Sequence, residues 1–426
     1  MPSVNLYQIG GGLVLFAVVV QAAALAVAYL LRLAGQRKQR RLSLELLERE
    51  VEAARRRARF VEATQFSWPG YRKFKVIKKQ EECRDVCSFY LAPHDGKRIP
   101  SFRPGQFLTF SLHIPGKAPG EVTDIVRCYS LSDSPGDLSH YRITLKRLGS
   151  PPDKPGVPPG AASSYFHQQL KEGDIVDAKA PSGSFCLDVA QPLPVVLIGG
   201  GIGLTPVLSM LNAVVESGSK REVWFFLGVM NGDQHAFREH LEKIAREHEN
   251  VRLHVCYSDP KESEVAGKDF HHAERVSIGL FKRLLPSNNY DFYICGPPPM
   301  MQALTAGLTE WGVPEARIHF EAFGPASVKK AVPTPPAGAG AVKWAVTFSK
   351  SGKVLSWDSS VGSLLDLASM NGVPIDSGCR AGNCGTCITA IRSGSVDYLR
   401  EPGSAPEKGS CLACVCVPKG DLVLDA

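Results

Sequence analysis

The chain is 426 residues long, enough for about three domains. Its 44% hydrophobic and 21% charged residues exclude a chain disordered throughout, and its 40 Gly and 31 Pro argue against an all-helical bundle. The net charge of +7 is local: residues 32–60 hold ten Lys/Arg and four Glu, so the remainder is nearly neutral and no nucleic-acid surface is expected.

Residues 1–31 carry no charged side chain, and residues 9–33 are apolar or small apart from Gln21 and Arg32. About 20 such residues in a helix span a bilayer core. Arg37, Lys38, Arg40 and Arg41 follow at once. Basic flanks stay in the cytoplasm, so a single transmembrane helix over 8–34 is expected, with its amino terminus outside and everything else in the cytoplasm. A cleaved signal peptide fits poorly, because the apolar run is too long and its basic residues lie on the wrong side. Ala24 and Ala28 form a small-xxx-small pair and Gln21 offers a polar contact, the marks of a helix partner. Residues 36–66 read as a juxtamembrane helix. Leu44, Leu47, Val51, Ala54, Ala58 and Val61 recur at steps of three and four, a stripe too short to require a coiled coil. It suits a solvated stalk, a partner helix or anionic membrane lipid.

From residue 70 to 190 the pattern is that of an antiparallel β-barrel. Short β-type runs at 74–77, 87–92, 107–112 and 141–146 are bounded by Gly, Pro and Asp. Within it stands Arg127-Cys128-Tyr129-Ser130. Alternate strand residues share a face, so Arg127 and Tyr129 reach one ligand, with the guanidinium suited to a phosphate. Gly160-Ala161-Ala162-Ser163 precedes a helical stretch, where backbone amides would receive a phosphate. Taken singly, Tyr129 also fits a core aromatic and Gly160 a plain turn.

Residues 193–325 read as a doubly wound α/β domain. The buried-strand run 194–198 feeds Gly199-Gly200-Gly201-Ile202-Gly203-Leu204-Thr205-Pro206, a glycine loop opening a helix. Further strands are expected at 223–227, 251–256 and 291–295, and the last ends in Cys295-Gly296-Pro297. Cys295 by itself also suits a buried small apolar residue. Glu321-Ala322-Phe323 closes the domain.

Residues 326–341 are rich in Pro, Ala and Gly and read as a linker. Residues 342–426 then show a strand pair at 343–349 and 353–357, a helix at 361–370 and a closing strand at 422–424. Cys379, Cys384, Cys387 and Cys414 have the Cys-x4-Cys-x2-Cys…Cys spacing of plant-type [2Fe–2S] ferredoxins. Four cysteines also bind zinc, but with a more symmetric spacing. Cys416 is the nearer rival to Cys414, and register against the closing strand favours Cys414. No disulfides are expected among the twelve cysteines of a cytoplasmic-facing chain. The histidines form no ligand pair at helical or strand spacing. Adjacent His271 and His272 on a helix would diverge, so no second metal site is expected.

Together these motifs resemble the ferredoxin–NAD(P)+ reductase superfamily in phthalate dioxygenase reductase order. The wording of the barrel half is similar to flavohaemoglobin reductase domains, which use FAD. The resemblance implies a flavin barrel, a nicotinamide domain and a β-grasp ferredoxin domain, working as an NAD(P)H-dependent oxidoreductase. It implies that Tyr129 lies on the flavin ring and Ser130 near its reactive nitrogen. It implies that Cys295 lies beside the nicotinamide and that Phe323 covers the flavin face. Arg127 and Gly160, Ala161, Ala162 and Ser163 would hold the flavin phosphates. Gly200, Gly201, Gly203, Thr205, Pro206, Gly296 and Pro297 would hold the nucleotide. NADPH enzymes of this type carry a cation after the second strand. The turn here, Gly228 to Asp233, has none, and Asp233 would repel a phosphate, so NADH is expected. The implied route is NADH to FAD to the cluster and on to a membrane-associated redox acceptor such as an oxygenase, desaturase or cytochrome. An NADH:quinone reductase and a permanent electron-transfer subunit of a membrane complex are the alternatives.

Overall fold

The computed structural model describes residue 21 and residues 68–116, 121–150, 156–323, 343–378, 380, 382, 385–399 and 406–426. The expected transmembrane and juxtamembrane helices and the linker lie outside these residues, as do Cys379 and Cys384. Among the described residues, no helix is long and apolar enough to cross a membrane.

Six strands build the first body: β1 (Arg72–Cys83), β2 (Val86–Pro93), β3 (Phe107–Pro115), β4 (Val122–Ser130), β5 (Tyr141–Lys146) and β6 (Ile175–Ala178). Their order is β4-β3-β6-β1-β2-β5, and neighbours run antiparallel. A short helix α1 (Ala161–Ser164) runs into a π-turn (Tyr165–Gln169). Phe166 of that turn plugs the barrel against Phe89, Phe110 and Tyr129 at ring distances of 5.2–5.6 Å. Lys79 donates from Nζ to the carbonyls of Phe166, His167 and Leu170, closing the far end of the turn.

The second body has strands β7 (Val195–Gly200), β8 (Val223–Val229), β9 (Val251–Tyr257), β10 (Asp291–Cys295) and β11 (Ile318–Glu321). Helices α2 (Leu204–Glu216), α3 (Arg238–Glu247), α4 (Ile278–Leu284) and α5 (Pro298–Glu310) connect them. All pairs are parallel, in the order β11-β10-β7-β8-β9. Successive residues of β7 and β8 enter opposite cores. Val195, Leu197, Phe225 and Leu227 meet α2 and α3. Val196, Ile198, Trp224 and Phe226 meet α4 and α5. Each such buried side chain contributes about 1.5–3 kcal/mol, so the sheet is held from both faces.

The third body has strands β12 (Trp344–Phe348), β13 (Lys353–Trp357), β14 (Ile388–Ser393), β15 (Val396–Tyr398), β16 (Ser410–Leu412), β17 (Cys416–Pro418) and β18 (Leu422–Leu424). The main sheet runs β13-β12-β18-β14-β16, with β15 and β17 paired apart. Helix α6 (Leu364–Met370) begins three residues later than expected, because Ser363 caps it reciprocally with Asp366.

Residues 271–272 are not helical. They run beside β9, and His272 Nε2 meets His254 Nδ1 at 3.1 Å. The expectation of diverging helical rings is therefore corrected.

His235 is buried, its Nδ1 2.9 Å from Tyr257 Oη. Burial, with Arg238 nearby, depresses its pKa to about 4. Burial and His272 hold His254 at about 4 as well. In an unfolded chain both titrate near 6.5. The unfolded state therefore takes the proton first. The stability these groups contribute is complete above pH 6.5 and is lost as pH falls toward 4. The unfolding free energy from urea titrations should fall between pH 7 and pH 4.5, by as much as about 2.5 kcal/mol for each group. His235→Gln should flatten that slope; an unchanged slope would assign the acid loss to other groups.

Candidate active site

On the barrel, β4 pairs with β3 so that Arg127, Cys128, Tyr129 and Ser130 face Phe110, Thr109, Leu108 and Phe107. The pleat separates their side chains. Cys128 Sγ meets Thr109 Oγ1 at 3.4 Å, while the Tyr129 ring packs 5.9 Å from Phe110. Burial pushes the Tyr129 phenol up, and the Arg127 charge partly offsets it. Arg127 is exposed and donates to the Val126 carbonyl at 2.8 Å. Ser130 is buried at the strand end. Gly160, Ala161, Ala162 and Ser163 form the start of α1, whose N-cap Gly160 makes no side-chain capping bond. Ser163 Oγ instead accepts from Leu148 N–H at 3.1 Å and donates to the Gly160 carbonyl at 3.0 Å, which shapes the loop from within. An exposed guanidinium, a ring edge and an uncapped turn fit a flavin carrying a pyrophosphate.

On the second body, the glycine loop leaves β7 and enters α2 with no side-chain cap. Thr205 and Pro206 lie buried in the first turn of α2, and Thr205 Oγ1 donates to the Ile202 carbonyl at 3.1 Å. A Cβ on Gly203 would fall 2.2 Å from the Cys295 carbonyl oxygen, and one on Gly200 would meet Met300 and Pro297. These glycines therefore allow the Cys295-Gly296-Pro297 loop to lie directly on the glycine loop. Gly201, at φ +53°, has open space instead and is the glycine that leaves room for a ligand. Cys295 is fully buried at the end of β10, and burial with Glu321 beside it raises its thiol well above the usual value. Glu321 is its register partner on β11. Phe323 is 39% exposed, two residues farther on.

A narrow cleft joins the two bodies, lined by Thr144 and Lys146 of the barrel and by Gly201, Thr205, Gln234 and Phe237. Ser209 Oγ donates to the Asp133 carbonyl at 2.6 Å, and Asn212 Nδ2 donates to Asp133 Oδ1 at 3.2 Å. Arg142 is buried, pairs with Asp133 at 3.3 Å and lies 5.0 Å over the Phe237 ring. The turn after β8 does not stand without cations, as its local sequence suggests. Lys261 pairs with Asp233, and Arg84 on the β1–β2 hairpin approaches it at 3.6 Å.

In the third body, Cys387 Sγ and Cys414 Sγ stand 3.1 Å apart, both buried. The turn carrying Cys414 is fixed by Ala413 N–H donating to the Cys387 carbonyl at 3.2 Å. Cys416 lies on β17 opposite Tyr398, with its thiol hydrogen-bonded to that of Cys411. Gly382, at φ +75°, leaves no room for a Cβ beside Val415. Two unbridged thiols converging in a dry turn fit thiolate ligands of an iron–sulfur cluster.

Residues 73–186 match the oxidoreductase FAD-binding domain family, 197–306 the oxidoreductase NAD-binding domain family and 348–419 the 2Fe–2S iron–sulfur cluster binding domain family. The chain joins an FAD-binding, an NAD-binding and a 2Fe–2S domain, in that order along the sequence. Its cofactors are FAD, NADH and a [2Fe–2S] cluster. It is 42% identical over 262 residues to the flavohemoprotein of Bacillus thuringiensis subsp. konkukian (strain 97-27), covering 61% of this chain. It spans 62% of that relative's length. The flavohem-like FAD/NAD-binding domain of nitric oxide dioxygenase from Vibrio cholerae O1 biovar El Tor is 34% identical, with a TM-score of 0.52. That alignment covers 60% of this chain and all of the other. Phthalate dioxygenase reductase, a modular structure for electron transfer from pyridine nucleotides to [2Fe–2S], is 26% identical with a TM-score of 0.50. Here 84% of this chain and 98% of the other align.

Glu321, Lys146 and Phe237 escaped the sequence reading. Glu321 stood in the motif that ends with Phe323, and its place beside Cys295 needed the β10–β11 register. Lys146 and Phe237 had no local signal.

If Cys414 is the fourth ligand, Cys414→Ser should lose the visible iron–sulfur absorbance and about half or more of the bound iron. Cys416→Ser should keep both. The reverse pattern would move the ligand to Cys416.

Proposed function

We propose that the chain is a membrane-anchored reductase that passes electrons from NADH through FAD and [2Fe–2S] to a membrane-associated acceptor of the oxygenase, desaturase or cytochrome kind. The observation that carries the reading is the joining of FAD-binding, NAD-binding and 2Fe–2S domains in one chain, in the order of phthalate dioxygenase reductase. The anchor rests on the apolar run 9–33 and the basic residues behind it. Such an anchor raises the effective concentration of a membrane partner. It also places residues 68–426 on the cytoplasmic side.

Bound FAD takes two electrons as a hydride and releases them singly to the one-electron cluster. The chain's own residues bind and orient. Tyr129 and Ser130 flank the flavin ring, and Arg127 with residues 160–163 holds its phosphates. The uncapped start of α2 and Lys146 across the cleft hold the nicotinamide's pyrophosphate. Cys295, buried and neutral, packs beside the nicotinamide, and Phe323 yields its place over the flavin when the nicotinamide enters. Cys379, Cys384, Cys387 and Cys414 hold the cluster.

Lys146→Ala should raise KM for NADH about tenfold while kcat with ferricyanide changes less than about threefold. An unchanged KM would remove Lys146 from the nucleotide site. A protein beginning at Trp68 should reduce ferricyanide with NADH at nearly the full-length rate. Its reaction with acceptor in native membranes should be slower, and the deficit should shrink as it is concentrated. Equal rates at low concentration would replace the membrane acceptor by a soluble one.

A further inference from the structure

Asp233 sits in the turn Gly232–Gln234 at the carboxyl end of β8, the strand beside the glycine-loop strand. Its carboxylate holds two cations from distant parts of the chain. Lys261 lies beyond β9, and Arg84, at 3.6 Å, comes from the β1–β2 hairpin of the barrel. The same hairpin is fastened to the turn through its backbone, with Arg84 N–H donating to the Asp233 carbonyl at 3.1 Å. Glu264 closes the turn from below. One of its oxygens accepts Gly232 N–H at 2.8 Å and the other accepts Lys261 N–H at 2.8 Å. The hydrogen bond from Lys261 and the charge of Arg84 hold the Asp233 carboxyl below the usual range, so it is ionised at neutral pH. Gln234, the next residue, lines the cleft with Gly201 and Thr205.

In doubly wound dinucleotide sites an acid at the end of the second strand accepts from the adenosine ribose, whereas a cation there accommodates a 2′-phosphate. This turn holds both kinds of group at once. We propose that Asp233 sets the preference for NADH by occupying two cations, Lys261 and Arg84, that together form a latent 2′-phosphate site. The inference rests on the reading of this turn as the ribose end of the nicotinamide site. An intact Asp233 offers the ribose hydroxyls an acceptor and cancels the cations. Without its charge, a dianionic phosphate meets two donors, one of them supplied by the barrel. Exchange of acid for cation is then unnecessary, because the cations are already in place. Arg84 and Lys261 are 74% and 44% exposed, so the attraction is screened by salt.

The test uses the full-length holoenzyme with Asp233→Asn and, as a second variant, Asp233→Ser, each checked for flavin content. Both should raise kcat/KM for NADPH by about tenfold and lower it for NADH. Adenosine 2′,5′-bisphosphate should become a better competitor against NADH, and the gain should shrink at high ionic strength. Adding Arg84→Ala and Lys261→Ala together to Asp233→Asn should remove most of the gain. If NADH efficiency falls without any gain for NADPH, or the gain survives loss of both cations, the latent site is overturned while the ribose reading stands. If neither nucleotide responds to Asp233→Asn, the ribose reading fails and the proposal fails with it.

Discussion

The site depends on the parting of two neighbouring parallel strands. β7 and β10 are paired along Val195–Gly199, yet the chain leaves β7 toward β8 and leaves β10 toward β11. Loops that leave in opposite directions open a crevice at the carboxyl edge of such a sheet. The depth of this crevice is set by backbone contact, since the Cys295 carbonyl occupies the space where a side chain on Gly203 would stand. Strands buried on both faces keep the two loops in register. Small shifts there cost packing in two cores at once.

The barrel must then present its flavin residues to that crevice. Its docking combines an apolar contact, Val86 buried in the core around α2 and Phe237, with a few polar groups. Asp133 receives Ser209 and Asn212 from α2, Arg142 supports Phe237, and the β1–β2 hairpin holds the turn at Asp233. Each neutral hydrogen bond contributes about 1 kcal/mol net, so orientation comes from geometry more than from strength. Of these docking residues Phe237 also lines the cleft.

What the sequence revealed follows from how local the chemistry is. Cys-x4-Cys-x2-Cys is a spacing within one loop, and Arg127 with Tyr129 is a spacing within one strand. Glycines ahead of α2 are likewise contiguous. Such patterns survive in one dimension. Features built from distant segments did not. Lys261 lies 28 residues beyond Asp233, whereas Arg84 lies about 150 residues before it on another body, and only the packing of the two bodies brings the three together. Glu321 meets Cys295 through parallel register. The strand β4 was recognised at its motif but not over its full nine residues, because its outer half is exposed and lacks the apolar alternation that marks a half-buried strand. Cys414 and Cys416 were separable only by register; Cys414 Sγ lies 3.1 Å from Cys387 Sγ, while Cys416 lies on β17 opposite Tyr398.

The central claim is that one chain takes hydride at the crevice and passes single electrons to its own cluster. An anaerobic titration of the holoprotein with NADH, followed by visible absorbance and electron paramagnetic resonance, tests it most directly. Two electrons on the flavin and one on the cluster require about 1.5 equivalents of NADH for full reduction, with a reduced-cluster signal appearing before the end point. Complete flavin bleaching at about one equivalent, with the cluster still oxidised and silent, would contradict electron transfer within this chain.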